Sequence, residues 1–190
     1  MGLVLTQAPA SEPVTVAEAK AHLRVDGSAE DALIASLILT SRLHVETAIG
    51  LALITQEWRL TLDGWPEARD VALPLRPLQA VDAVRVLGAA GDAATIAPSQ
   101  YLVDVASVPP RLVRRGAFPV PGVPVGGIEI VFTAGYGDAA DDIPAPIRQA
   151  LLLLVAHWHE HRDPIEIGSA EIVVPPAVSQ LLQPYRVARL

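Results

Sequence analysis

Histidines and a glutamate at the end of an apolar segment have the residue types and spacing of a metal site. His157 and His161 are four residues apart, and Glu160 immediately precedes the second of them. On a helix this spacing places the side chains one turn apart on one side, so two imidazoles and a carboxylate could bind a divalent metal. The order differs from the H-E-x-x-H motif, and no third ligand stands out downstream. The alternative is a helix end whose histidines interact with the negative end of the helix dipole.

A glycine motif gives a second, weaker indication of chemistry. Gly135 and Gly137, with Ala140 three residues later, match the G-x-G-x-x-A pattern of dinucleotide sites. Two aspartates and two prolines follow before the next helical pattern, and the acids would repel a phosphate. We therefore interpret the motif as a turn between a strand and a helix.

Composition excludes several classes of protein. The 190 residues contain no cysteine, which removes disulfides, thiol catalysis and cysteine-based zinc sites. The net charge of −7 is a poor match to a protein that binds DNA by neutralising phosphates. The longest uninterrupted apolar run, residues 150–156, is much shorter than the roughly 20 residues that span a bilayer, so we expect no membrane association.

Helical patterns lie at the two ends of the chain. Thr15 and Glu18 have the spacing of a capping box, which predicts a short helix to about residue 24. Apolar residues at helical spacing predict a second helix from about Ser28 to Gly50, with Glu30, Arg42 and Glu46 on its polar face. A third helix, apolar on most sides, follows Pro144 and ends before Asp163, and a short one covers residues 177–182.

The middle of the chain has the alternation of β-strands. Apolar residues Trp58, Leu60 and Leu62 alternate with polar ones, and five further short strands are predicted between 71 and 133. The predicted class is α+β: N-terminal helices packing with the C-terminal apolar helix, and an inserted small antiparallel β-sandwich or barrel. We expect one unit over 1–190, with a helical core of 13–52 and 143–164, a β insertion of 54–134 and an extended arm of 165–190.

Four segments in order resemble a known family. They are residues 13–26, 134–137 and 143–150, followed by His157-Trp158 with Glu160 and Arg162. Together they resemble the phage head-tail connector (neck adaptor) family, and in particular the adaptors of alphaproteobacterial gene transfer agents. His159 and His161 depart from the family pattern.

The resemblance implies a structural protein without enzymatic activity or cofactor. It implies a ring of about twelve copies in the neck of a phage or phage-like particle, made in the bacterial cytoplasm, between the portal protein and the stopper or tail completion protein. DNA would pass through the ring without specific binding, for which acidic walls are suitable.

Within that framework we assign two surfaces. The third helix is the expected subunit interface because it is apolar on too many sides for a monomer of this size; its assigned residues are Ile147, Leu151, Leu154 and Trp158, with Arg148, Glu160 and Arg162 as the polar edge. The tail is expected to dock on the portal and order on binding, through Val178, Leu181, Leu182, Tyr185 and Arg186. The alternatives are a metal-binding domain or metal-dependent enzyme using His157, Glu160 and His161, and a β-domain that binds a sugar or peptide.

Overall fold

The computed structural model describes residues 1–161 and 174–186, and the chain divides into two compact units. Unit 1 comprises Met1–Ala10 and Thr55–Tyr136, and unit 2 comprises Ser11–Ile54 and Gly137–Leu190. Within the described residues, unit 1 holds every β-strand and unit 2 every α-helix. The fold is therefore of the predicted α+β class, with the β segment inserted in sequence between helices that pack together.

Four α-helices form unit 2. They are α1 (Val16–Leu23), α2 (Asp31–Ile49), α3 (Ala145–Glu160) and α4 (Pro176–Leu182). The predicted capping box is present: the Thr15 hydroxyl accepts from the Glu18 amide at 3.1 Å, and the Glu18 carboxylate accepts from the Thr15 amide at 2.8 Å. Gly50 ends α2 with φ 65°, a left-handed conformation that glycine adopts without strain.

The orientation of α2 differs from the prediction for its charged face. Ile34, Ile38 and Val45 are buried as predicted, but Arg42 and Glu46 are buried beside them, at 5% and 8% exposure. Arg42 is held by Glu46 and by Glu12 from the segment before α1, and the second oxygen of Glu46 accepts from the Leu53 amide at 2.9 Å. The polar face predicted from Arg42 and Glu46 was wrong because these side chains satisfy each other inside unit 2.

By length and composition alone, α2 is a helix that could cross a membrane. Its surroundings in unit 2 are those of a core helix, because it packs against α1 and α3 and buries an ion pair. We interpret its apolar character as core packing on one side, whereas its other side is exposed.

Unit 1 contains two antiparallel sheets and no closed barrel in the described residues. The larger has the order β1-β2-β8-β4-β5 and the smaller β3-β7-β6. The strands are β1 (Gly2–Gln7), β2 (Gln56–Leu62), β3 (Asp70–Ala72), β4 (Leu78–Leu87), β5 (Ala93–Thr95), β6 (Tyr101–Asp104), β7 (Arg111–Arg114) and β8 (Ile128–Ala134). The apolar residues of β8 alternate into the core, where Ile128, Ile130 and Phe132 are fully buried.

Two strands were not predicted. β1 is an edge strand that pairs with β2, and most of its side chains are exposed, so it lacks the alternation that marks a half-buried strand. β5 has three exposed residues, two of them alanines of low β-propensity, and it forms by pairing with β4. Both are strands that tertiary pairing creates.

Candidate functional site

The histidines at the end of α3 point to different partners. The His157 and His161 rings lie 4.6 Å apart between centroids, and His161 Nδ1 donates to the His157 carbonyl oxygen at 2.8 Å. His159 Nε2 lies 2.8 Å from a Glu30 carboxylate oxygen at the start of α2, and Glu160 is exposed. Within the described parts of the chain, no three histidine, cysteine or acidic side chains converge as a metal site would require.

His157 is in an environment that favours its neutral form. Its Nε2 is buried, and no residue within 1–161 or 174–186 forms a hydrogen bond with it. Burial, followed by the neighbouring His161, lowers the pKa of His157, and the nearby Glu160 opposes the shift only in part. A neutral imidazole in a partly apolar position fits a packing role at the helix end.

The apolar residues assigned to the subunit interface lie inside unit 2. Ile147, Leu151 and Leu154 are at most 1% exposed in the single chain. Their burial by other parts of the same unit accounts for the apolar character of α3 without a second subunit, and it leaves them no surface to offer one. Trp158 is half-buried, with its ring edge-on to His44 of α2 at 5.7 Å.

The three charged residues assigned to the polar edge of the subunit interface do not form one surface in the described residues. Arg148 joins three segments of unit 2: its Nε donates to the Pro13 carbonyl at 3.2 Å, its Nη1 lies 3.2 Å from Asp141, and its Nη2 pairs with Glu18. Glu160 is exposed at the end of α3. Arg162 lies outside the described residues.

The capping carboxylate that pairs with Arg148 has a shifted titration. The Thr15 amide and hydroxyl, together with the charge of Arg148, lower the pKa of Glu18. The sequence indicated Glu18 as a helix cap but gave no sign of its pairing with Arg148, which is 130 residues away.

The residues assigned to portal docking are partly packed in the chain itself. Val178 and Leu182 are buried at 1% and 3% exposure, and α4 packs against α3. The helix predicted over 177–182 is therefore present without a portal, and these two side chains serve its packing. Leu181 and Tyr185 are half-buried and Arg186 is exposed.

Sequence reasoning missed the buried charge cluster of α2. Burial lowers the pKa of Arg42, but its hydrogen bond to Glu12 and the charge of Glu46 outweigh that effect and leave the pKa raised. The i,i+4 spacing of Arg42 and Glu46 was a signal for a pair, although the same spacing is common on exposed helix faces.

Comparison with known proteins gives matches along the whole chain. Residues 13–87 match the model of the family described as phage gp6-like head-tail connector protein. A chain from the neck of an empty gene transfer agent (GTA) particle, determined with C6 symmetry, is 32% identical with a TM-score of 0.83; the match covers all of this chain and 97% of that one. A chain in the virion of a native GTA particle is 30% identical, with a TM-score of 0.85 and the same coverage.

A third similar chain belongs to the neck of a native GTA particle determined with C12 symmetry. It is 32% identical, with a TM-score of 0.80, and the match covers 100% of this chain and 97% of that chain. No curated protein sequence matches the chain.

Proposed function

The chain belongs to the phage gp6-like head-tail connector family, and on that premise we propose that it is a structural ring subunit in the neck of a phage or phage-like particle. One observation carries the proposal: chains about 30% identical to this one over nearly their whole length are parts of GTA particles, two of them described as necks. The family is one of connectors, and the proposed role needs no catalytic group.

The proposed ring has about twelve copies and joins the portal protein on one side to the stopper or tail completion protein on the other. The C12 symmetry of one neck that contains a similar chain supports this number. The proposed location is the particle neck, after synthesis in the bacterial cytoplasm.

The charge of the chain suits a passage for DNA. At −7 per subunit, twelve copies carry about −84, and like-charge repulsion disfavours adhesion of a passing duplex. DNA would then cross the ring without specific contacts.

The portal contact is proposed for the part of the tail that the protein's own packing leaves available. Leu181, Tyr185 and Arg186 are half-buried or exposed, whereas Val178 and Leu182 hold α4 on α3. Aromatic and arginine side chains are the types most enriched at the energetic centres of interfaces.

The test is retention of the full-length chain on immobilised portal protein encoded in the same gene cluster. We expect the double variant Tyr185→Ala with Arg186→Ala to lose most of its retention, while Arg85→Ala, which alters a half-buried arginine of unit 1, matches the wild type. Equal retention of both variants would contradict the tail assignment. Absence of wild-type retention would contradict the connector role at the portal.

A further inference from the structure

The exposed side of α2 carries three leucines and lacks acidic and basic residues other than a histidine along its length. Ten of its positions from 32 to 48 are exposed, and none is Asp, Glu, Lys or Arg. Leu33, Leu39 and Leu43 are 37%, 42% and 48% exposed. The other seven are Ala32, Ala35, Ser36, Thr40, His44, Thr47 and Ala48. We call these ten residues the outer face of α2.

This arrangement is the reverse of what solvent alone favours. The helix buries its charged pair, Arg42 and Glu46, and exposes three leucines, although charged residues are rarely buried and leucine is among the residues most often buried. A contiguous apolar patch on the surface of a folded unit is typical of an interaction site. Small residues along the same face would allow another element to approach closely, and a shallow groove between Thr40 and Ala48 has Leu43 in its lining.

The lack of charge restricts what can cover this face. Nucleic acid would need cations to neutralise its phosphates, and the outer face has no lysine or arginine. A strongly charged protein surface would bury its charges there without partners, which is costly. The occupant must itself be largely uncharged.

Another copy of this chain offers such a surface. The partly exposed side of α3 is also uncharged between its ends, with Gln149 exposed and Leu152, Leu153 and Ala156 half-buried. A cyclic ring needs two different surfaces on each subunit, one for each neighbour, and unit 2 has two that match in character.

The dimensions of the outer face favour a ring over a free dimer. At a rise of about 1.5 Å per residue, the face is about 24 Å long and one helix wide. With a width of about 10 Å, its area is on the order of 240 Å². This area is well below the roughly 800 Å² that each partner buries in a stable two-body complex. In a ring on a portal, each copy contacts two neighbours and the portal, so several contacts of this size together stabilise the assembly.

We propose that the outer face of α2 is the contact between adjacent copies of the chain in the ring, and that it packs on the uncharged side of α3 in the neighbouring copy. The proposal rests on the connector function above and adds the surface through which the copies meet. Trp158 contacts His44 and so lies at the edge of this face. Among the apolar α3 residues assigned to the interface, Trp158 is the one that is not buried, and it belongs to the same region.

Cysteine labelling tests the proposal directly because the chain has no cysteine of its own. In the full chain, Leu39→Cys places a thiol on the outer face, and Leu102→Cys places one at similar exposure, 42% against 49%, on unit 1. We expect a maleimide–polyethylene glycol reagent to label the Leu39→Cys variant about tenfold more slowly in portal-bound rings than in the free chain, as for a face that is open about one-tenth of the time. The labelling rate of Leu102→Cys should not change.

A charge variant gives a second readout. Leu43→Glu should lower the yield of rings on the portal at least about tenfold, because a carboxylate would be buried without a partner, while Leu102→Glu should assemble like the wild type. Both positions are exposed, and circular dichroism should show that both variants are folded.

The outcomes separate this inference from the proposed function. Rings in which Leu39→Cys reacts as fast as in the free chain, or in which both thiols are slowed equally, would overturn the α2 contact and leave the connector role intact. Protection of Leu39→Cys in the free monomer would also overturn it, because the chain would then cover its own face. Failure of the wild-type chain to form any ring would contradict both proposals.

Discussion

Arg42 Nη1 lies 3.0 Å from Glu46 Oε2 in the interior of unit 2, and both side chains are at most 10% exposed. Glu12 completes the cluster with two hydrogen bonds to the same guanidinium, at 2.8 and 3.1 Å. Because Glu46 also accepts from the Leu53 amide, the pair joins the segment before α1, the middle of α2 and the chain that follows α2. The cluster therefore fixes which side of α2 faces the core.

Removal of this pair should destabilise the fold strongly. Arg42→Met leaves the Glu46 carboxylate buried without its cation, which costs about 3 to 5 kcal/mol in the free energy of unfolding. The control is Arg85→Met, because the Arg85 side chain is 42% exposed and lies 3.9 Å from Glu129. Loss of this pair should cost at most about 1 kcal/mol. Urea denaturation of both variants measures the difference, and equal losses would contradict a structural role for the buried pair.

The capping carboxylate should make stability depend on pH in the acid range. The pKa of Glu18 is lowered in the folded chain, so its stabilising contribution is fully present above the ordinary value of 4.5. It is lost as the pH falls through the lowered folded value, where the carboxyl becomes protonated. We expect Glu18→Gln to be less stable than the wild type at neutral pH and to approach it in acid. Denaturation midpoints of the two proteins measure this effect across the acid range. A difference between variant and wild type that did not change with pH would contradict the assignment.

His157 should act in a separate, higher pH window. The pKa of His157 is lowered in the folded chain. Between the folded value and the ordinary value, the imidazole is therefore protonated in the unfolded chain and neutral in the folded chain. Stability should therefore fall as the pH drops below the ordinary value of 6.5, until the folded value is reached. The variant His157→Gln should lose this part of the pH dependence and keep the part due to Glu18. If the stability of His157→Gln depended on pH between about 7 and 5 in the same way as that of the wild type, the assignment would be contradicted.

Metal analysis distinguishes the packing role of the histidines from the metal-binding alternative. Because no three ligands converge within the described residues, elemental analysis of the purified chain should give much less than one equivalent of zinc, nickel or iron. Stoichiometric metal that disappears on His157→Ala would support a metal site instead.

Sequence reasoning succeeded where a local pattern and tertiary packing agree. The Thr15–Glu18 capping box, Gly50 at the end of α2 and the strands β2 and β8 were predicted from patterns within a few residues. It failed where distant partners decide the outcome. Arg42 is buried because Glu12 comes from 30 residues away, and β1 is a strand because β2 pairs with it.

The same limit applied to the assigned surfaces. An apolar helix can be covered by its own chain or by another copy, and the composition of α3 did not distinguish the two. Ile147, Leu151 and Leu154 are covered within unit 2, whereas Leu39 and Leu43 of α2 are exposed. Local periodicity shows that one side of a helix is apolar. Only the packing of the folded chain shows which apolar side remains exposed.

The C-terminal helix should contribute to the stability of the free chain. Leu182 is 3% exposed, so Leu182→Ala should cost about 2 to 5 kcal/mol, with a smaller effect for the half-buried Leu181→Ala. Thermal unfolding of the free proteins compares the two. Equal, negligible effects would mean that α4 is not packed until a partner binds.

Electron microscopy of the full-length chain mixed with its portal protein tests the central claim most directly. The connector account predicts a twelvefold ring of this chain on one end of the portal, with an open channel along the axis. A chain that remains a featureless monomer beside an undecorated portal would contradict it.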